Sequence, residues 1–243
     1  MKPFKFKQFT INQDRCAMKI GTDGVLLGAW TSVDNNPFSI IDIGAGTGII
    51  TLMLAQRSFA ENIEAIEIDA DAYEQCVENF EASDWGDRLF CFHAGLDEFV
   101  DEYATEDTDN DELYDLIVSN PPFYSEEVSS GNEARDMARQ NQSLPFDELL
   151  TGVSKLLSVN GVFSTIIPFK EEESVVAIAK SVGLLPKRIT RVKGNPTSEI
   201  KRSLLEFHRS KKSIETNELI IEEKRHQYTQ EYINLTKDFY LKM

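Results

Sequence analysis

The run Ser119-Asn120-Pro121-Pro122-Phe123 follows an apolar segment and combines a side-chain amide, two prolines and an aromatic ring. An exocyclic amine on a nucleobase is a poor nucleophile because its lone pair is delocalised into the ring. Two acceptors on its N–H bonds, the Asn120 side-chain oxygen and the Pro121 carbonyl, favour a lone pair that faces a methyl donor. The prolines make the turn rigid, and Phe123 can stack on an extruded base. We therefore predict amine methylation, with Asn120, Pro121, Pro122 and Phe123 as catalytic residues.

Other interpretations of this run stay open. Asn-Pro is a common turn former, and Phe123 would then be a hydrophobic plug. The same pair of acceptors also suits the side-chain amide of a glutamine in a protein. The run therefore predicts a type of reaction and leaves the substrate undecided.

A glycine-rich loop supplies the second chemical feature. It closes a predicted strand and opens a helix, so a ligand can approach its backbone closely. Its spacing, with Gly44, Gly46 and Gly48, differs from the dinucleotide pattern, and Asp42 would repel a pyrophosphate but attract an ammonium group. Glu67, at the end of the next predicted strand, suits two ribose hydroxyls. These residues predict S-adenosylmethionine as the donor; the alternative is a tight turn without a ligand and a solvated Glu67.

The elements that position these residues alternate between strands and helices. Strands are predicted at residues 39–43, 63–68, 89–93, 114–119, 161–167, 187–192 and 203–208. Helices are predicted at residues 49–57, 71–82, 146–157 and 171–181. Short βα connections indicate a doubly wound, Rossmann-like α/β fold with a mostly parallel seven-stranded sheet and ligands at the carboxyl ends of its strands. The last two strands are joined by a turn without a helix, so we expect them to be antiparallel.

We expect a single domain over residues 1–243. Within it, residues 1–36 form an N-terminal extension that contributes to the cofactor and RNA site, and residues 37–210 form the core. Residues 211–243 add a strand and a helix. The polar stretch 124–143 is too long for a simple turn, which predicts a lid or a binding loop.

Composition limits the class of protein. The 243 residues are 41% hydrophobic with a net charge of −16, and no segment has the length of a membrane span or a signal peptide. The three cysteines form no C-x-x-C pair, which favours reduced thiols over disulfides or zinc. We predict a cytoplasmic protein without a metal and without an obligate protein partner.

Several segments resemble bacterial tRNA1(Val) adenine-37 N6-methyltransferases, a family of class I S-adenosylmethionine-dependent enzymes that act on amino groups. The similar segments are residues 6–9, 14–30, 42–48, 52–57, 120–123 and 239–241. The resemblance implies methylation of N6 of the adenosine next to the anticodon of a valine tRNA. It also implies that Lys19, Gly21, Thr22 and Asp23 lie close to the amino-acid end of the donor. Alternatively, Thr22 or Asp23 simply caps a short helix at residues 25–30.

One position departs from this family. Methyltransferases of this architecture commonly place an acidic residue after the third strand, where it holds the adenine amine of the donor. Here the residue is Gly95, followed by Leu96 and Asp97. We expect the N–H of Leu96 to reach a ring nitrogen of the adenine. Asp97 either replaces the missing carboxylate or acts as a helix N-cap.

The predicted RNA contacts are basic residues. Residues 185–212 hold nine basic and two acidic residues, a local charge of +7 in an acidic chain. With two lysines near the N-terminus and two arginines in the long loop, the candidates are Lys5, Lys7, Arg135, Arg139, Lys187, Arg188, Arg191, Lys193, Lys201 and Arg202. The alternative is that these charges protect an exposed sheet edge.

Three competing functions remain at this stage. Two are enzymatic: methylation of a glutamine amide in a protein, and methylation of guanine N2 in ribosomal RNA. The third is an RNA-binding factor without catalytic activity. Asp42, Glu67 and Asn120 together argue against the last of these.

Overall fold

The computed structural model describes residues 2–16, 19–104, 108–122, 144–211 and 213–243. The strands are β1 Phe4–Lys5, β2 Thr10–Ile11, β3 Ser39–Ile43, β4 Asn62–Glu67, β5 Leu89–His93, β6 Tyr114–Ser119, β7 Leu157–Pro168, β8 Leu185–Lys193, β9 Ile200–His208, β10 Glu215–Ile220, β11 Glu222–Lys224 and β12 Gln227–Tyr228. The α-helices are α1 Thr22–Trp30, α2 Ile49–Arg57, α3 Ala70–Glu81, α4 Leu96–Tyr103, α5 Phe146–Leu156, α6 Glu172–Ser181 and α7 Gln230–Thr236.

The main sheet has the strand order β10-β8-β9-β7-β6-β3-β4-β5. The five strands from β3 to β7 pair in parallel, and β9 is antiparallel to both β7 and β8. The predicted doubly wound fold and its antiparallel final pair are therefore confirmed. The described part of the sheet has eight strands, one more than predicted, because β10 joins β8 in parallel. Only Leu219 of β10 is buried, so this polar edge strand has no apolar pattern by which to recognise it.

Apolar side chains on the two faces of the sheet form two cores. On β6, Leu116 and Val118 face the core that is covered by α1, α2 and α3. Ile117, between them, faces the core under α4, α5 and α6. A strand that is buried on both faces becomes a continuous apolar run, which is why residues 116–118 could be recognised in the sequence.

Both ends of the chain pack into the first core. Phe6, Phe9 and Ile11 from the N-terminal segment belong to it, as do Tyr232 and Phe239 from the C-terminal segment. Phe6 forms an isolated antiparallel bridge with Tyr240. No helix in the described ranges is both long enough and apolar enough to cross a membrane.

Candidate active site

A cavity of about 620 Å³ opens at the carboxyl ends of the parallel strands. Four neighbouring strands contribute to its wall through the residues that follow them. These are Gly44 and Gly46 after β3, Glu67 and Asp69 at the end of β4, Gly95 to Asp97 after β5, and Asn120 to Pro122 after β6. The volume is typical of a site for a small molecule or cofactor. The fold therefore brings the glycine loop and the Asn-Pro-Pro turn to one cavity.

The glycine loop is held against the end of β4. The N–H groups of Gly44 and Ala45 both donate to the carbonyl of Ile66, at 2.9 and 3.1 Å. The N–H of Gly46 donates to Glu67 Oε2 at 2.8 Å. Gly44 and Gly46 have left-handed φ values of 74° and 57°, and a Cβ on either would find no atom within 4 Å. The loop thus presents bare backbone and open space to the cavity, as a cofactor cradle requires.

Gly48 has a packing role at the start of α2. Its φ is 77°, and a Cβ at this position would lie 2.5 Å from the Phe80 ring and 2.9 Å from Cys76 Sγ. Both contacts are too short for real atoms. Glycine at this position therefore lets α2 begin directly against α3.

Glu67 lies at the cavity wall with most of its side chain buried. Besides the bond from Gly46, its Oε1 accepts from the N–H of Asp69 at 2.9 Å. Burial raises the pKa of Glu67, and these backbone hydrogen bonds oppose the rise. Each carboxylate oxygen keeps a second lone pair, so the predicted ribose contact remains chemically open.

Asp42 is fully buried at the end of β3 and is not among the described residues that line the cavity. Its Oδ2 accepts from Thr51 Oγ1 at 2.8 Å. Its Oδ1 is buried and has no hydrogen-bond partner among the described residues. Burial raises the pKa of Asp42 to about 7. The carboxyl therefore lies beneath the glycine loop, and its direct contact with a donor ammonium stays a prediction.

The Asn-Pro-Pro turn is anchored where β6 meets β3. Ser119 Oγ donates to the carbonyl of Ile43 at 2.9 Å, which fixes the end of β6 beside the glycine loop. Asn120 is half-buried, Pro121 is buried, and both line the cavity with Pro122. Phe123, the fourth predicted catalytic residue, lies outside the described residues. The predicted RNA contacts Arg135 and Arg139 also lie outside them.

Asp97 occupies the space next to Gly95. A Cβ at position 95 would lie 2.8 Å from Asp97 Oδ1, and both residues line the cavity. Helix α4 begins at Leu96, with Gly95 as its N-cap and no side-chain capping bond, so the interpretation of Asp97 as an N-cap is wrong. As the first residue of α4, Leu96 leaves its N–H outside the helical hydrogen-bond ladder. A free N–H and a carboxylate therefore lie side by side at this end of the cavity.

Helix α1 lies next to the Asn-Pro-Pro turn. A Cβ on Gly24 would lie 3.9 Å from Asn120 Nδ2. The N-cap of α1 is Gly21 without a side-chain bond, so neither Thr22 nor Asp23 caps the helix. Asp23 instead pairs with Arg202 at 2.8 Å. Lys19 and Thr22 are exposed and are not among the described lining residues, so their predicted contact with the donor remains untested.

The cavity also contains residues that the sequence did not single out. Cys16 lines it, and burial raises the pKa of this thiol to about 12, so the thiol is neutral. Asp69 lines it and caps α3 by accepting from Ala72 N at 2.9 Å. The sequence could have indicated Asp69 as a cavity residue, because it follows Glu67 by two positions after the same predicted strand. Cys16 had no comparable pattern. Within the described ranges, no three His, Cys, Asp or Glu side chains are arranged to hold a metal ion.

The predicted basic cluster has two parts. Lys187 and Arg188 both bind the buried carboxylate of Glu206, and Arg188 lies 3.8 Å above the Trp30 ring. The other part consists of Arg191, Lys193, Lys201 and Arg202 and lies at the end of the sheet where the cavity opens. Strand β8 runs parallel to β7, so its last residues reach this end, and β9 runs in the opposite direction, so its first residues lie there too.

Most of the second part is also paired. Arg191 binds Glu172 at 2.7 Å, Lys193 binds Glu218 at 2.9 Å, and Arg202 binds Asp23. Lys201 is exposed and has no ion pair in the described part of the chain. Strands β8 and β9 lie inside the sheet, so the alternative, that these charges protect a sheet edge, is wrong. Three of these four basic residues are therefore paired with carboxylates, and their contact with RNA stays a prediction.

Comparisons with known proteins show what this chain is similar to. Residues 25–145 match the family model described as "Methyltransferase small domain". A Flavobacterium johnsoniae protein named "tRNA1(Val) (adenine(37)-N6)-methyltransferase" is 63% identical over 241 residues, covering 99% of this chain and 100% of its own length. A Bacteroides fragilis protein of the same name is 45% identical over 241 residues, with 99% and 98% covered.

Solved structures support the fold. A predicted O-methyltransferase from Agrobacterium tumefaciens superposes with a TM-score of 0.68 at 20% identity, over 89% of this chain and 96% of its own. The P. horikoshii protein TYW2, solved in complex with MeSAdo, gives a TM-score of 0.55 at 15% identity, over 83% and 68%. At these identities the likeness extends to the fold alone.

Proposed function

Because this chain belongs to the family of tRNA1(Val) (adenine(37)-N6)-methyltransferases, we propose that it transfers a methyl group from S-adenosylmethionine to N6 of adenosine 37 in a valine tRNA. The observation that carries the proposal is the shared cavity. The glycine loop, Glu67 and the Asn120-Pro121-Pro122 turn reach it from neighbouring strand ends. A tRNA substrate also supports the prediction that the protein works in the cytoplasm.

The residues present fit the donor. Bare backbone at Gly44 and Gly46 leaves room for its amino-acid end, and Glu67 can accept from the ribose hydroxyls. At the far end, the N–H of Leu96 and the carboxylate of Asp97 match the adjacent acceptor and amine of an adenine edge. The donor supplies a methyl group made electrophilic by its sulfonium. The buried charge of Asp42 lies beneath the loop and favours a cationic ligand above it.

Asn120 and Pro121 orient the amine of the target. In the proposed complex, the Asn120 side-chain oxygen and the Pro121 carbonyl each accept one N–H bond of N6. This directs the nitrogen lone pair along the line of methyl transfer. The hydrogen bond from Ser119 to the carbonyl of Ile43 fixes the position of the turn relative to the glycine loop. The two acceptors are therefore in place relative to the donor site before the substrate binds. No strong base is needed, because the amine loses its proton only after the new bond forms.

The function is tested by incubating the protein with labelled donor and bulk tRNA, ribosomal RNA or a purified protein substrate, followed by identification of the labelled nucleoside or amino acid. We expect N6-methyladenosine in tRNA. Label in protein would favour glutamine methylation, N2-methylguanosine in ribosomal RNA would favour the other enzymatic alternative, and no transfer would favour a non-catalytic RNA-binding factor.

Asn120→Ala tests the role of the turn. Removing one of two acceptors should lower kcat by about 100- to 1,000-fold, as for the loss of one preorganised hydrogen-bonding group at an active site. Donor affinity, measured by calorimetry, should change little. Asn234→Ala, on the exposed face of α7, is the matched control. An equal loss of donor affinity and turnover would mean that Asn120 serves the donor and not the base.

A further inference from the structure

The two ends of the chain meet on the surface beside α2. The N–H of Lys7 donates to the carbonyl of Phe239 at 2.9 Å, next to the bridge between Phe6 and Tyr240. The ammonium of Lys7 donates to the main-chain oxygens of Lys237 and Met243, the latter at 3.2 Å. Residues near the N-terminus and residues 237–243 therefore form one continuous surface.

A stack of aromatic rings holds this junction in place. The Phe6 ring centroid lies 4.7 Å from those of Phe4 and Phe9 and 5.8 Å from that of Tyr240. Phe6 and Phe9 are buried, whereas the neighbouring lysines are exposed. We call the four exposed lysines of this junction, Lys5, Lys7, Lys237 and Lys242, the terminal lysine patch.

The charge of this surface is opposite to that of the protein as a whole. Residues 2–9 and 236–243 hold five lysines, namely the four of the patch and Lys2, and one acidic residue, Asp238, a net charge of +4 in a chain of net charge −16. The rest of the chain therefore carries −20. The basic residues of β8 and β9, by contrast, are largely paired with carboxylates of the fold. The ammonium of Lys7 is bonded to main-chain oxygens, and no salt bridge engages the other three lysines within the described residues.

The patch is rigidly connected to the active site. Asn79 accepts from the N–H of Asn12 at 2.9 Å and donates to the carbonyl of Thr47, in the glycine loop, at 2.9 Å. Gln56, near the end of α2, donates to the carbonyl of Asp238 at 3.1 Å. Helix α2 starts at the glycine loop and has nine residues, which corresponds to about 13 Å. The chain beside Lys237 therefore lies at the end of α2 that is remote from the donor loop, roughly one helix length from it.

We propose that the terminal lysine patch binds the phosphate backbone of the substrate tRNA while the target adenosine occupies the cavity. The proposal rests on the function proposed above. It gives the C-terminal segment a role in substrate binding and extends the contacts predicted for Lys5 and Lys7 to Lys237 and Lys242. Exposed cations on a rigid base, in an otherwise acidic protein, match a polyanion of fixed shape.

The test compares two double variants in tRNA binding at several salt concentrations. In K237Q/K242Q two proposed phosphate contacts are lost, and K180Q/K224Q removes two exposed lysines outside the patch and outside the basic stretch 185–212 as the matched control. Two fewer contacts reduce the slope of log affinity against log salt by about 1.8. The ratio of wild-type to variant affinity then falls about tenfold between about 50 and 200 mM salt. The control variant should keep the wild-type slope.

Two further measurements separate the possible outcomes. The wild type and the two double variants should bind S-adenosylhomocysteine with the same affinity, which verifies that all three are folded. If K237Q/K242Q does not fold, K5Q/K242Q replaces it. An unchanged slope in an active, folded variant would overturn the proposal while leaving the function intact. A wild-type protein that does not methylate tRNA at all would instead overturn the function.

Discussion

Replacing Asp42 with asparagine should stabilise this protein at neutral pH. The carboxyl is fully buried, and the hydroxyl of Thr51 is its one hydrogen-bond donor among the described side chains. Burial raises the pKa of Asp42 from 3.8 to about 7, although the bond from Thr51 opposes the rise. Asparagine has nearly the same size and no charge to desolvate. The variant therefore removes the cost of ionising a buried acid.

The sign of the pH dependence follows from proton binding. Between about pH 4 and pH 7, Asp42 holds a proton in the folded state and has lost it in the unfolded state. The free energy of unfolding of the wild type therefore falls as pH rises through this window, and the fall ends above about pH 7. A change from 3.8 to about 7 corresponds to about 4 kcal/mol for a group this deeply buried.

Urea unfolding of the wild type and Asp42→Asn, at intervals from about pH 4.5 to pH 8, measures this contribution. The stability of the variant relative to the wild type should rise by about 3 to 4 kcal/mol across the range. Glu67, whose pKa is also raised, is present in both proteins, so its contribution largely cancels. Asp84→Asn, at an exposed position after α3, is the matched control and should show no such rise. A stability difference that is constant with pH would refute the reasoning.

The same charge should act on the donor. Ionised Asp42 beneath the glycine loop attracts a cationic ligand, so wild-type affinity for S-adenosylmethionine should increase as pH passes through about 7. Asp42→Asn should bind more weakly above this pH and lack the increase. Calorimetric titrations that show the same pH profile in both proteins would mean that Asp42 does not act on the donor.

Two further predictions concern the glycine loop and the adenine end of the cavity. Gly48→Ala should lower the free energy of unfolding by about 2 to 4 kcal/mol, because its Cβ would collide with Phe80 and Cys76 at a positive φ. Gly21→Ala, where the space is open, should cost less than about 1 kcal/mol in the same unfolding assay, and equal losses would contradict the packing argument. Wild-type protein should bind S-adenosylhomocysteine about tenfold more tightly than its purine riboside analogue, which lacks the amine but keeps the ring nitrogen that accepts from Leu96, and Asp97→Ala should abolish this preference. If Asp97→Ala weakened the binding of both ligands equally, Asp97 would not accept a hydrogen bond from the adenine amine.

The sequence predicted the layout of the site because its signals are local. A continuous apolar run marks a strand buried on both faces, and Asn-Pro-Pro or glycine residues directly after it mark the strand end. Parallel strands then bring such ends together, so the meeting of Asn120, Gly44 and Glu67 at one cavity followed from topology. The resemblance of the N-terminal run supplied the substrate, which the turn alone left open.

Features that depend on distant partners could not be read in the same way. The pairing of Asp23 with Arg202 joins residues 179 positions apart, and no local pattern links them. The basic stretch around Arg188 therefore looked like free charge until the structure placed Glu206 beside it. Likewise, Asp97 could be an N-cap or a cavity residue until the start of α4 was known, because the two interpretations differ by two positions.

The polar contacts of α1 join parts of the chain that are synthesised far apart in time. Helix α1 packs on α2, and two contacts also tie it to β8 and β9: Arg202 binds Asp23, and Arg188 donates to the carbonyl of Trp30, from positions that are synthesised 158 to 179 residues later. At ribosomal rates of about 5 to 20 residues per second, the first segment waits roughly 10 to 35 s for these partners. The core from β3 to β7 can form during that time. A nascent chain that ends before β9 would therefore keep the apolar partners of α1 on α2 but lack the bond between Asp23 and Arg202 that ties the start of α1 to the sheet.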